Sequence, residues 1–226
     1  AAECESYFNS DKLGEAVVPF YASHGTIEEY GGTILKEFHQ AYPEIRVQTT
    51  ECTDLDADDA VLSDECEIAL TVGPLPEGRF SSARIFSTDY VLLISSSDPL
   101  AVHSSVSIDD LKGLPLVVMK TGVRTFSCLQ DICRKHGFEP EIHTFADNIL
   151  LVYYLATQDG TYGVSTQALF NRLNPPGLTA VKIEDPDFGW HIYAIRKKNG
   201  DLTAPSELLW KALTGKKESR NTRPKS

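Results

Sequence analysis

The chain has 226 residues, 42% of them hydrophobic, enough to bury a core in one large domain or two small lobes. Its longest apolar run, 149–156, is far too short to span a bilayer, and the first residues show no basic segment followed by an apolar one, so neither a membrane span nor an export signal is expected. The formal net charge of −11 understates the acidity of the body, because Lys216, Lys217, Arg220, Arg223 and Lys225 lie in a tail with only Glu218 against them; such a surface repels a phosphate backbone and argues against direct DNA contact.

Residues 1–11 read as the end of a helix and a polar turn. An apolar run of strand length covers 16–22, followed by a polar loop, 23–26. Residues 27–42 carry Ile34, Leu35, Phe38 and Tyr42 at helical spacing. A strand over 45–50, a short helix over 54–63 and a strand over 67–72 complete a β-α-β-α-β order, which predicts parallel strands with helices on their faces. Two strands follow, 83–86 and 90–95, separated by Ser87, Thr88 and Asp89; the first closes one lobe and the second opens another. Ser107 and Asp110 stand in capping-box positions before a short helix that Gly113 ends and Pro115 blocks. Then come a strand (116–119), a helix (124–136) stopped by Gly137, a strand (141–145), and a helix (148–157) so apolar that it should be buried. A strand (160–165), a helix (166–173) and the break Asn174-Pro175-Pro176-Gly177 follow.

The remainder, strands at 178–183 and 190–196 and an amphipathic helix at 205–213, is too short for a third lobe and should return to complete the first. The expected division is therefore 1–15 as helix end and turn, 16–87 plus 178–214 as lobe I, 88–177 as lobe II, and 215–226 as a basic, disordered tail. The crossings fall near 86–89 and 177–181. The fold class is α/β, two Rossmann-like lobes joined by two crossover segments.

Several blocks in order resemble the effector-binding domain of LysR-type transcriptional regulators. The segment 88–95 followed by Ser107-Ile108-Asp109-Asp110-Leu111-Lys112-Gly113-Leu114-Pro115-Leu116-Val117 resembles its strand and S-x-x-D-L-x-G-x-P-x-I/V block. Residues 18–27 resemble the opening strand with its Ser/Thr-bearing loop, and 35–45 the helix running into F-x-x-x-Y-P-x-V. Cys66-Glu67-Ile68-Ala69-Leu70 stands where the family has x-D-L-A-I, with Glu for Asp, and Tyr162-Gly163-Val164-Ser165 resembles a later strand without its terminal Pro. The resemblance covers 16–213 and implies a periplasmic-binding-protein type II-like fold. It further implies a small, anionic effector between the lobes, a homodimer or homotetramer, a cytoplasmic location, and DNA contact only through an N-terminal helix-turn-helix domain that this sequence does not contain. Paired antiparallel, such domains would meet through the helices around Leu35–Phe38 and Leu129–Cys133. The alternative is an extracytoplasmic solute-binding protein of a transporter; the five cysteines, odd in number and without a C-x-x-C pair, favour a reducing compartment instead.

Open α/β sheets bind ligands beyond the carboxyl ends of their strands. Ser23, His24 and Thr26 follow the first strand, where a helix start offers free N–H groups to an anion; Ser23 and Thr26 could equally cap that helix. Thr121, Gly122 and Arg124 follow a strand in the second lobe, offering a hydroxyl, close backbone approach and a bidentate clamp, or simply a surface turn. Thr53 and Asp147 are further loop candidates. No catalytic motif is present, and adjacent side chains such as those of Ser23 and His24 point apart on extended chain, so no enzyme activity is expected. No cofactor or metal is expected either: the acidic run Glu51, Asp54, Asp56, Asp58, Asp59, Asp64, Glu65, Glu67 lacks the spacing and Gly of a calcium loop and reads as a solvated face. In the family's peroxide-sensing branch the reactive Cys stands where this chain has Arg124, so Cys128 and Cys133 read as ordinary thiols on one helix.

Overall fold

The computed structural model describes residues 16–120 and 124–215. The expectations for 1–15, for Thr121 and Gly122, and for the tail beyond Gly215 lie outside the described residues.

Lobe I begins with β1 (Ala16–Ser23), which pairs in parallel with β2 (Ile45–Cys52) and β3 (Ile68–Val72). A π-helical turn (Ile27–Gly31) leads into α1 (Gly32–Ala41), and α2 (Asp54–Leu62) connects β2 to β3. The β-α-β-α-β reading therefore holds. All five residues of β3 are buried, as a central parallel strand covered on both faces requires.

Next comes β4, a single strand from Phe80 to Ser95. Its residues up to Asp89 pair antiparallel with β10 (Gly189–Lys197); from Tyr90 onward it pairs with β8 (Tyr162–Thr166) and β9 (Leu178–Glu184). Two strands with a polar gap were expected here. The gap is absent because Ser87, Thr88 and Asp89 sit opposite His191, Trp190 and Gly189, and Ser87 Oγ lies 3.0 Å from His191 Nδ1. The backbone ladder thus carries three polar residues straight across the first crossing.

Lobe II continues with β6 (Leu116–Met119), parallel to both β8 and β7 (Ile142–Ala146), with helices α3 (Arg124–Lys135), α4 (Ile149–Ala156) and α5 (Gln167–Leu173). A short β5 (Ser105–Ser107) runs parallel to β9. Because β9 pairs with the lobe II half of β4, the return crossing follows Glu184, later than the 177–181 expected. The helix α6 (Ala204–Thr214) packs back on α1 and β1, and Glu67 receives both the N–H and the hydroxyl of Thr203 at 2.9 Å at its start.

Two local expectations change. The segment after Ser107 forms only a 3-10 turn, Asp109–Leu111; Asp110 accepts the Ser107 N–H (2.8 Å) and hydroxyl (2.7 Å), so the Ser donates where a cap would accept. Those bonds hold the Asp110 carboxyl below its usual range. Gly113 does take the left-handed conformation, at φ +77°. The apolar α4 buries Val152, Tyr153 and Ala156 but leaves Leu150 64% and Tyr154 65% exposed, since the sheet covers only one side of it.

Both crossings are packed with aromatic rings. Tyr90 on β4 stacks on Phe188 just before β10, with centroids 4.2 Å apart, and Trp190 meets Phe86 edge-on at 6.3 Å. With β4 shared, the lobes should unfold together. Ile85→Ala in lobe I and Leu92→Ala in lobe II, both fully buried, should each cost about 2–5 kcal/mol and shift one common urea transition, followed in parallel by tryptophan fluorescence and circular dichroism.

Candidate functional site

The end of β3 and the start of α2, just after β2, meet lobe II at the start of α3, and the end of β1 lies beside that of β2, with Ser23 opposite Cys52. At the end of β1, Ser23 is 2% exposed and its hydroxyl has no hydrogen-bond partner. Its carbonyl accepts the Thr26 hydroxyl at 2.6 Å, and Thr26, in helical conformation, makes no side-chain cap. Neither residue caps the helical segment, which opens instead on a π-helical turn, a geometry frequent at functional sites. His24 is half exposed, with its N–H on the Cys52 carbonyl (3.1 Å) and Nδ1 3.2 Å from Glu51. Thr53 is spent on a capping box for α2: it accepts Asp56 N–H at 3.2 Å, and its hydroxyl donates to the Asp56 carboxylate at 2.7 Å. Asp147 pairs with Lys120 at 2.7 Å, both exposed.

Arg124 has crossed the cleft. It opens α3 of lobe II, is 7% exposed, and its side chain enters lobe I. One guanidinium nitrogen donates to Thr71 Oγ1 (2.8 Å) and the Val72 carbonyl (2.7 Å), and the other to the Asp58 carboxylate. Its backbone N–H donates to Asp54 Oδ2 at 2.7 Å, while Asp54 Oδ1 accepts the Val72 N–H at 3.1 Å. Asp54 thus ties the end of β3 to the start of α3. The expected solvated acidic face is therefore interrupted: Asp54 and Asp58 are 1% and 4% exposed. Burial pushes the Asp58 carboxyl up against the opposing pull of Arg124. The spacing was in the sequence, since positions four apart on a helix share one face and can meet the same incoming residue.

A second contact between lobes joins Arg172 on α5 to the helical turn after Thr26. Arg172 donates to the Glu28 carbonyl at 2.8 Å and lies 2.9 Å from the Glu29 carboxylate, whose pKa burial raises. Nearby on lobe II, Tyr153 and Ser165 share a buried hydrogen bond of 3.0 Å. Glu28, Glu29, Tyr153, Ser165 and Arg172 are not among the site candidates read from the sequence, because their meaning depends on which lobe they face. Among the described residues, no group of three or more His, Cys, Asp or Glu side chains converges to hold a metal.

The LysR substrate binding domain model matches residues 22–217. The chain belongs to that family. Curated relatives of this LysR domain include the HTH-type transcriptional regulator YwbI of Bacillus subtilis, 22% identical over 170 residues, with 75% of this chain and 56% of YwbI aligned. The dual regulator GltC of the same organism is 24% identical over 177 residues, covering 77% and 58%. The chain thus spans little more than half the length of these relatives. Its fold matches the effector-binding domain of a BenM variant (TM-score 0.78, 15% identity, 88% and 93% covered) and that of QuiR in complex with shikimate (TM-score 0.78, 11% identity, 89% and 96%). The two-lobed α/β expectation is borne out, and the relatives are transcriptional regulators; none of these matches supports the transporter alternative.

The four described cysteines of this LysR domain are free thiols. Burial pushes Cys52 and Cys133 up to about 11 and Cys66 up to about 12, and raises Cys128 as well. Thiolate is the reactive form. At pH 7.5 all four should therefore alkylate with iodoacetamide far more slowly than free cysteine, as site-resolved mass spectrometry would measure.

Proposed function

We propose that this LysR domain is the effector-sensing and oligomerising part of a bacterial transcriptional regulator. A small anionic metabolite binds between the lobes and biases DNA binding by a helix-turn-helix domain. Ser23 carries the reading. Burying a hydroxyl without a partner costs about 1–3 kcal/mol, and Ser23 Oγ is so placed at the carboxyl end of β1, where open sheets take their ligands. The other described candidates have partners within the chain: His24 with Glu51, Thr26 with the Ser23 carbonyl, Thr53 with Asp56, Asp147 with Lys120, and Arg124 with Asp58. Ser23 then donates to the effector, His24 and Thr53 border the cleft, and Arg124 brings lobe II to it.

Supporting an anion, the domains with this fold include BenM with benzoate and QuiR with shikimate, both carboxylates. The same reading puts the protein in the cytoplasm; no described helix is long and apolar enough to cross a membrane.

Assembly fits the edge of lobe I. A groove of about 390 Å³ is lined by Leu35, His39, Pro43, Arg46, Val47 and Thr49 on α1 and β2. In lobe II, α3 and the edge strand β7 stand in the same β-α-β relation as α1 and β2. An antiparallel dimer would set one pair against the other twice, an isologous interface.

Thermal unfolding with a panel of organic acids, aromatic acids, amino acids and inorganic anions tests the site. An effector at about a hundred times its Kd should add about 2.7 kcal/mol, a shift of a few degrees. Ser23→Ala should abolish that shift; an unchanged shift would remove Ser23 from the site. For the assembly, Leu35→Asp should lower the sedimentation coefficient to that of a monomer while leaving circular dichroism unchanged.

A further inference from the structure

The two lobes meet through groups that the chain itself supplies. Lobe I offers a socket at the end of β3: the Asp54 and Asp58 carboxylates, the Thr71 hydroxyl and the Val72 carbonyl. Lobe II fills it with the Arg124 guanidinium and backbone N–H, at 2.7–2.8 Å wherever the contact is an ordinary hydrogen bond. A second tie between the lobes has the same polarity. In it, Arg172 of lobe II grips Glu29 and the Glu28 carbonyl of lobe I.

From this juxtaposition we infer that Asp54 and Asp58 are positioning residues which set the angle between the lobes by holding Arg124, with Arg172–Glu29 as a second, independent tie. The inference rests on the reading that the interlobe cleft is the effector site, and it names what the effector's signal must act on.

Three features argue for a working joint rather than incidental contact. Removing one partner of a buried pair leaves an uncompensated charge, so the joint resists partial opening. Asp54 accepts N–H groups from both lobes through its two oxygens, so its carboxylate has one arrangement that satisfies both. Asp58, by contrast, keeps Oδ1 without a partner although it is 4% exposed. A network left partly unsatisfied in a low dielectric holds less tightly than a complete one. The joint is therefore set firmly by Asp54 and releasably by Asp58. An anion that draws Arg124 from Asp58 loosens one lobe from the other, and one that leaves the pair intact does not; the shift available equals its differential affinity for the two arrangements.

The test uses the whole chain without added effector. Arg124→Met and Asp58→Asn should each speed amide hydrogen exchange by about tenfold or more in peptides covering both 68–74 and 124–130, one in each lobe. The radius of gyration from small-angle scattering should rise, and rise further in Arg124→Met/Arg172→Gln, since separate ties add. The double variant Arg124→Met/Asp58→Leu, an apolar pair in place of the ionic one, should restore slow exchange, because it leaves no buried charge unpaired. Faster exchange in only one of the two peptides, or an unchanged radius of gyration in folded variants, would overturn the inference. Should Arg124→Met not fold, Asp58→Asn alone carries the same comparison. Ser23→Ala, measured for effector response, separates the two claims: it tests the ligand site and leaves the joint intact.

Discussion

A single carboxylate, Asp54, stands at the point where the two halves of the molecule touch. It opens α2, accepts the N–H that ends β3, and accepts the N–H that starts α3 in the other lobe. Hydrogen bonds to an ionised acceptor are roughly twice as strong as neutral ones, and this one is shielded from water. Much else follows from it: Arg124 is delivered to Asp58 and Thr71. The acidic composition, which looks merely solubilising in the sequence, therefore has two parts. Exposed acids keep the surface negative, and two buried ones organise the interior.

The chain crosses between lobes twice: sheet pairing carries β4 through the first crossing, and the second is a short turn between Glu184 and Gly189 whose Phe188 stacks on Tyr90. β4 never leaves the sheet, and Tyr90 and Phe188 stack where a looser protein would have a linker. The crossings are held by a shared strand and a packed aromatic pair, and the side-chain ties of Arg124 and Arg172 span the gap between the lobes.

Most of the elements were legible in the sequence because their signals are local. Apolar runs and helical spacing mark β1, α1, β2, α2, β3, β6 and α3 to within a few residues, and Gly113 marks its turn. What escaped depends on partners far away in sequence. Ser87-Thr88-Asp89 reads as a loop until β10 supplies a ladder, and β9 reads as part of lobe I until β4 claims it. The apolar α4 reads as buried because composition cannot say that a sheet covers only one of its faces. For the site, the sequence singled out Ser23 and Arg124, but not that Arg124 would already hold a carboxylate. Asp54 and Asp58 were visible as an i, i+4 pair, yet nothing local distinguishes a buried acidic pair from a solvated one.

The continuous strand β4 also bears on how such a protein can change over evolutionary time. A cut at Tyr90 would leave each lobe with a raw strand edge and half of an aromatic stack, so neither lobe is a module that recombination can exchange. The scaffold is in that sense indivisible.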